Sequence, residues 1–266
     1  SASGRTHLMS VEAHAGYDVN VLRLGEAPAN LLLHCTLARS EALLSLAKSL
    51  PGGSVLMDLL GHGKSQGWDR QSDYQTANAA AALDLFEGPM HVIGHSFGAT
   101  IALRMALDHP QAVARLTLIE PVYFALATDP AAQADNVARF TPIFDAYGTG
   151  DLDTAARLFH GDWGGGAWEA LPDHTRAAVA KRMPLIIAGG PSIHDDIHRV
   201  AARLSQLSMP VTLVRGELSL PIIPAIHAAI CAAVPQARDH VVQGAGHMVP
   251  MTHVADVARI IASDVQ

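Results

Sequence analysis

His91-Val92-Ile93-Gly94-His95-Ser96-Phe97-Gly98-Ala99 joins a short apolar run, Met90–Gly94, to a longer apolar helical pattern, Phe97–Asp108, through a serine between two glycines. The spacing is G-x-S-x-G. A strand that turns at once into a helix leaves no room for side chains two residues either side of the serine, which accounts for Gly94 and Gly98. Such a turn pushes the hydroxyl out at the carboxyl edge of a parallel sheet, over the amino terminus of the following helix. Ser96 is therefore the candidate nucleophile. A bare G-x-S-x-G arises often by chance, and an inert serine in a glycine-rich turn is the plain alternative. The strand before and the helix after it favour the functional reading.

Outward from this turn, short apolar runs alternate with helical patterns, the mark of a mostly parallel sheet covered on both faces. Strands are expected at Val19–Leu24, Asn30–His34, Ser54–Asp58, Met90–Gly94, Arg115–Ile119, Pro210–Arg215 and Arg238–Val242. Helices are expected at Ser40–Ser49, Ser72–Phe86, Phe97–Asp108, Ile222–Val234 and Val254–Ser263. Pro51-Gly52-Gly53 and His109-Pro110 stop two of them. From Val122 to Leu207 the pattern is helical with glycine- and proline-containing joints and no clear strand. This segment, 122–207, reads as a helical insertion between two strands of a core formed by 1–121 and 208–266.

A hydrophobic content of 49% against 16% charged residues suits a large buried core and excludes a disordered chain. The formal charge of −7 comes without a basic stripe, so no nucleic-acid partner is expected. Met90–Leu107 is broken by His91, His95, Ser96 and Arg104 and is not a membrane span. Two cysteines, Cys35 and Cys231, and no legible secretory leader point to reduced thiols and a cytoplasmic location. Ser1 to Gly4 reads as an expression remnant. The expected partner is a small molecule, with no membrane and with self-association left open.

A serine hydroxyl needs a base to take its proton. Gly244-Ala245-Gly246-His247-Met248 follows the Val241-Val242 strand, and its flanking glycines single out His247 among fifteen histidines.

With Ser96 and His247 in this order, the chain resembles the α/β-hydrolase superfamily over nearly its whole length. Asp58-Leu59-Leu60-Gly61-His62-Gly63-Lys64-Ser65 is similar to that family's D-x-x-G-H-G-x-S turn. It is not a phosphate loop, because Asp58 stands where a glycine would be required. The insertion resembles the family's cap, which roofs the active site. The resemblance implies an oxyanion hole made by the amides of Phe97 and, from His34-Cys35-Thr36, of Thr36. Cys35 replaces the family's usual glycine, a departure expected to crowd that loop; its thiol reads as buried and unreactive rather than as a second nucleophile.

The acid is displaced. The family most often carries Asp after the strand that follows the cap, and here Ser219 holds that place. Glu120, at the end of Leu116-Thr117-Leu118-Ile119, stands where haloalkane dehalogenases among others carry their acid. It is preferred over Glu217, two residues from the usual position. A carboxylate holding backbone amides, or no working acid, stays open beside both.

His194 and His198, four apart, have a zinc-like spacing but no recognisable third ligand, and a solvated helix face is the better reading. Cys35, Phe124, Phe140, Phe144, Trp163 and Met248 are candidates for the substrate pocket. Trp68, Trp168 and Met183 are further candidates, and core packing explains all of these equally well.

The expectation is thus an α/β-hydrolase with a helical cap, acting as a serine hydrolase on a small, largely apolar ester or related acyl compound. No metal or organic cofactor is expected. Hydrolysis of a carbon–carbon bond in a ring-cleavage diketone, and a non-catalytic ligand-binding or signalling role, remain as alternatives.

Overall fold

A computed structural model describes residues 7–264. The Ser1 to Gly4 reading lies outside them. Eight strands form one sheet: β1 (His7–His14), β2 (Tyr17–Leu24), β3 (Pro28–Leu33), β4 (Gly53–Met57), β5 (Met90–His95), β6 (Val113–Ile119), β7 (Val211–Gly216) and β8 (Ala237–Val242). Their spatial order is β1-β2-β4-β3-β5-β6-β7-β8. β1 and β2 run antiparallel to their neighbours, and β3 to β8 are mutually parallel.

The parallel strands are apolar throughout because both of their faces are covered, and alternate side chains leave on opposite sides. Leu31, Leu33, Val92, Leu118 and Leu213 enter one core. Leu32, Ile93, Ile119 and Val214, their immediate neighbours in sequence, enter the other. The second core is closed by α1 (Leu44–Ser49) and α9 (Val254–Ser263). The first is closed by α2 (Tyr74–Leu83), α3 (Phe97–Asp108) and α7 (Ile222–Ala233), and it continues into the cap.

The cap lies between β6 and β7: α4 (Pro130–Gly148), α5 (Leu152–Trp163) and α6 (Asp173–Ile193). A short α8 (Val249–Thr252) precedes α9. Among the described residues no helix is long and apolar enough to cross a membrane.

All seven expected strands form, with ends moved by at most two residues. The expected Ser40–Ser49 helix is a 3-10 turn, Ser40–Leu43, running into α1. Strand β1 was not expected. It pairs His14 with Tyr17 through Ala15 and Gly16, both at positive φ (49° and 85°), the geometry of a tight hairpin. Its Leu8, Met9 and Val11 are exposed rather than alternating into a core, so no strand periodicity marks it.

Candidate active site

Every candidate catalytic side chain emerges at the carboxyl edge of the sheet. Ser96 follows β5 with φ 56° and ψ −117°, a region closed to most non-glycine residues, and this bend costs about 1–3 kcal/mol locally. The residues two positions either side must be glycine. A Cβ on Gly94 would lie 2.3 Å from the carbonyl oxygen of Gly98, and one on Gly98 would lie 2.2 Å from that of Leu33. The Ser96 amide is held by the Ile119 carbonyl at 2.9 Å.

His247 arrives from the loop after β8, with its Nε2 2.9 Å from Ser96 Oγ. Its Nδ1 is 2.8 Å from Glu120 Oε2. Glu120 is fully buried at the end of β6, and its own φ is 52°. Its other oxygen, Oε1, accepts from the Gly216 amide at 2.7 Å and from the Ser219 hydroxyl. Thus Ser219, in the position where the family most often has its acid, donates to the carboxylate that faces His247. Glu217 points elsewhere, its Oε2 accepting from the Gly244 amide at 2.9 Å. It supports the histidine loop and does not touch the imidazole.

Two buried histidines, which the sequence did not single out, fix this frame. His95 donates from Nε2 to the His247 carbonyl at 2.8 Å, and burial, with the nearby His247 adding, pushes its pKa down to about 3. His62 accepts the Leu37 amide on Nε2 at 2.9 Å and donates from Nδ1 to the Leu60 carbonyl at 3.1 Å. Burial drives it, too, to about 3. His62 can accept the Leu37 amide only as a neutral ring, and His95 Nδ1 is buried among the described residues with no acceptor for a second proton. Within the same turn, Asp58 accepts from the amides of Ser40 (2.8 Å) and Lys64 (3.0 Å) and from Asn20 (2.8 Å). Burial alone would raise the Asp58 pKa, and these donors outweigh it and hold it below the usual carboxylate range. The D-x-x-G-H-G-x-S turn is therefore a clamp on the loop that carries Cys35 and Thr36.

Cys35 is buried, and burial lifts its thiol to about 12, far from a thiolate at neutral pH. It is not among the positive-φ residues, so the missing glycine does not strain the loop. Among the described residues the amides of Phe97 and Thr36 give no hydrogen bond to the protein, which leaves both available to an oxygen above Ser96.

Two chambers meet at Ser96, sharing Thr36, Phe159 and Trp163 in their walls. The inner one is apolar and contains Phe97, Phe124, Phe140, Leu185 and His194. The other contains Cys35, His160, His247 and Met248. The Trp163 ring stands edge-on to His247, with ring centres 4.9 Å apart.

Of the pocket candidates, Phe144 is a correction. It stacks on Phe140 at 5.4 Å but is 39% exposed, lining an outer groove one helical turn beyond the chamber. Trp68 packs against Tyr74, Trp168 against His160, and Met183 is core. The solvated-face reading of His194 is also corrected. Its ring lies 4.7 Å from Phe124 and 4.9 Å from Phe140, while His198 lies 3.1 Å from Asp73.

The family model described as alpha/beta hydrolase fold matches residues 31–254. The chain belongs to the α/β-hydrolase fold family. That membership places it among enzymes of the hydrolase type. It is 29% identical over 215 residues to pimeloyl-[acyl-carrier protein] methyl ester esterase of Methylococcus capsulatus, covering 77% of this chain and 81% of that one. It is 37% identical over 110 residues to Lipase LipV of Mycobacterium tuberculosis, covering 39% of this chain and 42% of that protein. The chain thus spans less than half the length of LipV. In fold it is similar to Est816, described as an N-acyl homoserine lactone degrading enzyme, with TM-score 0.73, 18% identity, and 97% and 99% of the two chains covered.

Proposed function

We propose that this α/β-hydrolase is a serine hydrolase that cleaves small, largely apolar esters or related acyl compounds through an acyl-enzyme. The observation that carries the reading is the unbroken relay Ser96–His247–Glu120, at 2.9 and 2.8 Å, at the junction of two apolar chambers.

Ser96 Oγ attacks the carbonyl carbon as its proton passes to His247 Nε2. Negative charge gathers on the former carbonyl oxygen, which takes hydrogen bonds from the Phe97 and Thr36 amides. The carbon–oxygen bond to the leaving group breaks, and His247 returns the proton to the departing alkoxide. Water then attacks the acyl-enzyme, losing its proton to His247, which hands it back to Ser96 as the acid departs. Glu120 holds the Nδ1–H tautomer and balances the imidazolium, and two donors on its Oε1 fix the carboxylate's orientation. The esterase and lipase names of the relatives support an ester as the scissile group. The proposed partner is a small molecule, and the steps need no other component than water.

Turnover of short p-nitrophenyl esters tests this. The wild-type chain should release nitrophenolate with a burst that marks the acyl-enzyme, and Ser96→Ala should fall to the solution background. Equal turnover by a folded Ser96→Ala protein would refute the assignment.

A further inference from the structure

Two polar groups in the inner chamber's wall are not used by the proposed chemistry: the indole N–H of Trp163, which only donates, and the imidazole of His194, which can both donate and accept. His194, at the carboxyl end of α6, shares the wall with Ser96 among Val122, Phe124, Phe140, Leu185 and Ile186. Its ring sits against Phe124 (4.7 Å), Phe140 (4.9 Å) and Phe144 (5.8 Å). Among the described residues neither ring nitrogen has a hydrogen-bond partner, although the backbone amide of His194 bonds normally to Gly190. The ring is half-buried, standing between this chamber and the outer groove that Phe144 lines, so its hydrogen-bonding capacity toward the chamber is not taken up by the protein.

The two chambers also differ in what they present to the reacting bond. His247, which protonates the leaving group, lines only the outer chamber. The leaving group therefore departs on that side, and the acyl chain points into the inner chamber toward His194. A neutral ring offers one N–H and one lone pair, and burial favours the neutral form, pushing the pKa down to about 4. No lysine or arginine lines the inner chamber, so a carboxylate there would lie in an apolar wall without a cation.

We propose that His194 is a specificity-determining residue that hydrogen-bonds a neutral oxygen, a ketone or hydroxyl, carried on the acyl chain away from the scissile carbonyl. This rests on the serine-hydrolase reading for the direction of the chain. The preferred substrate class is then an oxo- or hydroxyacyl ester, in place of a plain fatty acyl ester or a dicarboxylic half-ester.

The test uses p-nitrophenyl esters of hexanoyl, heptanoyl and octanoyl acids, each plain, with a penultimate ketone, or with a terminal carboxylate. In the wild-type protein kcat/KM should favour the ketone over the plain chain at one of these lengths by about tenfold, what one good neutral hydrogen bond gives. The carboxylate should show no such gain. His194→Phe should abolish the preference, chiefly through KM, and His194→Gln, which keeps a neutral donor and acceptor, should restore part of it. Binding of the same esters to Ser96→Ala and to Ser96→Ala/His194→Phe, measured by calorimetry, separates the two readings. Turnover without ketone preference, or preference untouched by His194→Phe, overturns the role of His194 and leaves the serine hydrolase standing. No turnover, with ketone discrimination kept in the Ser96→Ala background and lost with His194→Phe, overturns the hydrolase and leaves the contact. Loss of both overturns both.

Discussion

At the residue scale the acid decides how the site is built. A carboxylate on β6 reaches His247, while the residue in the usual place, Ser219, has become its hydrogen-bond donor. Glu120→Gln should lower kcat by about 10⁴-fold with the fold intact, because an amide neither enforces the Nδ1–H tautomer nor balances the imidazolium. Glu217→Gln should cost less than about tenfold, since the Glu217 carboxylate holds the Gly244 amide and the Gln243 side chain beneath the loop and does not touch His247. Adding Ser219→Asp to Glu120→Gln should recover at least about tenfold of the loss, returning the charge to the neighbouring strand end. Added to the wild-type protein, it should instead lower activity by setting two carboxylates against each other. Steady-state kinetics on the four variants, with circular dichroism to confirm folding, checks this; Glu217→Gln falling as far as Glu120→Gln would refute it. Ser96 and His247 were legible because flanking glycines and chain order mark them. Glu120 was legible as one of two carboxylates at strand ends, and only the folded loops show which of them comes within hydrogen-bond distance of the imidazole. His194 was not legible, because the apolar wall that makes it unusual is assembled from separate segments.

At the element scale, the strand–turn–helix unit around Ser96 was readable because its glycines are demanded by backbone, not by side chains that could yield. The obstacle to a side chain at Gly98 is the Leu33 carbonyl on the neighbouring strand. Gly98→Ala should therefore destabilise by more than about 3 kcal/mol, at the severe end of single substitutions, by parting β3 from α3. Gly161, inside α5, meets nothing within 4 Å, and Gly161→Ala should raise stability by about 0.5–1 kcal/mol through helix propensity alone. Denaturant unfolding of both compares them directly, and similar values would mean that close approach does not set the need for glycine at position 98. The clamp formed by Asp58 and His62 shows the limit of a motif. Its spacing was visible in the sequence, but its work, tying the Leu37 and Ser40 amides in place, depends on strands β3 and β4 lying side by side. Strand β1 escaped detection for a related reason: it is held by its pairing with β2 and a tight turn, and its apolar side chains face outward.

At the scale of the whole molecule, the parallel sheet gathers the ends of β5, β6 and β8 at one edge, and it does so with polar groups sealed between its layers. Several of those are histidines. His62, His91 and His95 are held near 3 and His194 near 4, in each case by burial first. In the unfolded chain the same rings titrate near about 6.5. Between those values the unfolded state binds more protons, so stability is full above about pH 6.5 and falls as pH drops toward the folded-state values. Each ring contributes a slope of about 1.4 kcal/mol per pH unit in that window, and four together give several, enough to exhaust a typical folding free energy before pH 4. Urea unfolding across a pH series should show little change from about pH 7 to 8 and a steep decline below 6. His34, fully buried and lowered by that burial, adds to these four, and the slope near pH 5 should correspond to uptake of at least about four protons on unfolding. His91 gives a control away from the site, since its Nε2 meets only Thr117 Oγ1, at 2.7 Å. His91→Gln should remove about one proton from that slope while the others remain. Stability unchanged between pH 7 and 5 would mean that these rings are charged, or exchange with water, inside the fold; the neutral clamps assigned to His62 and His95 would fall with that result.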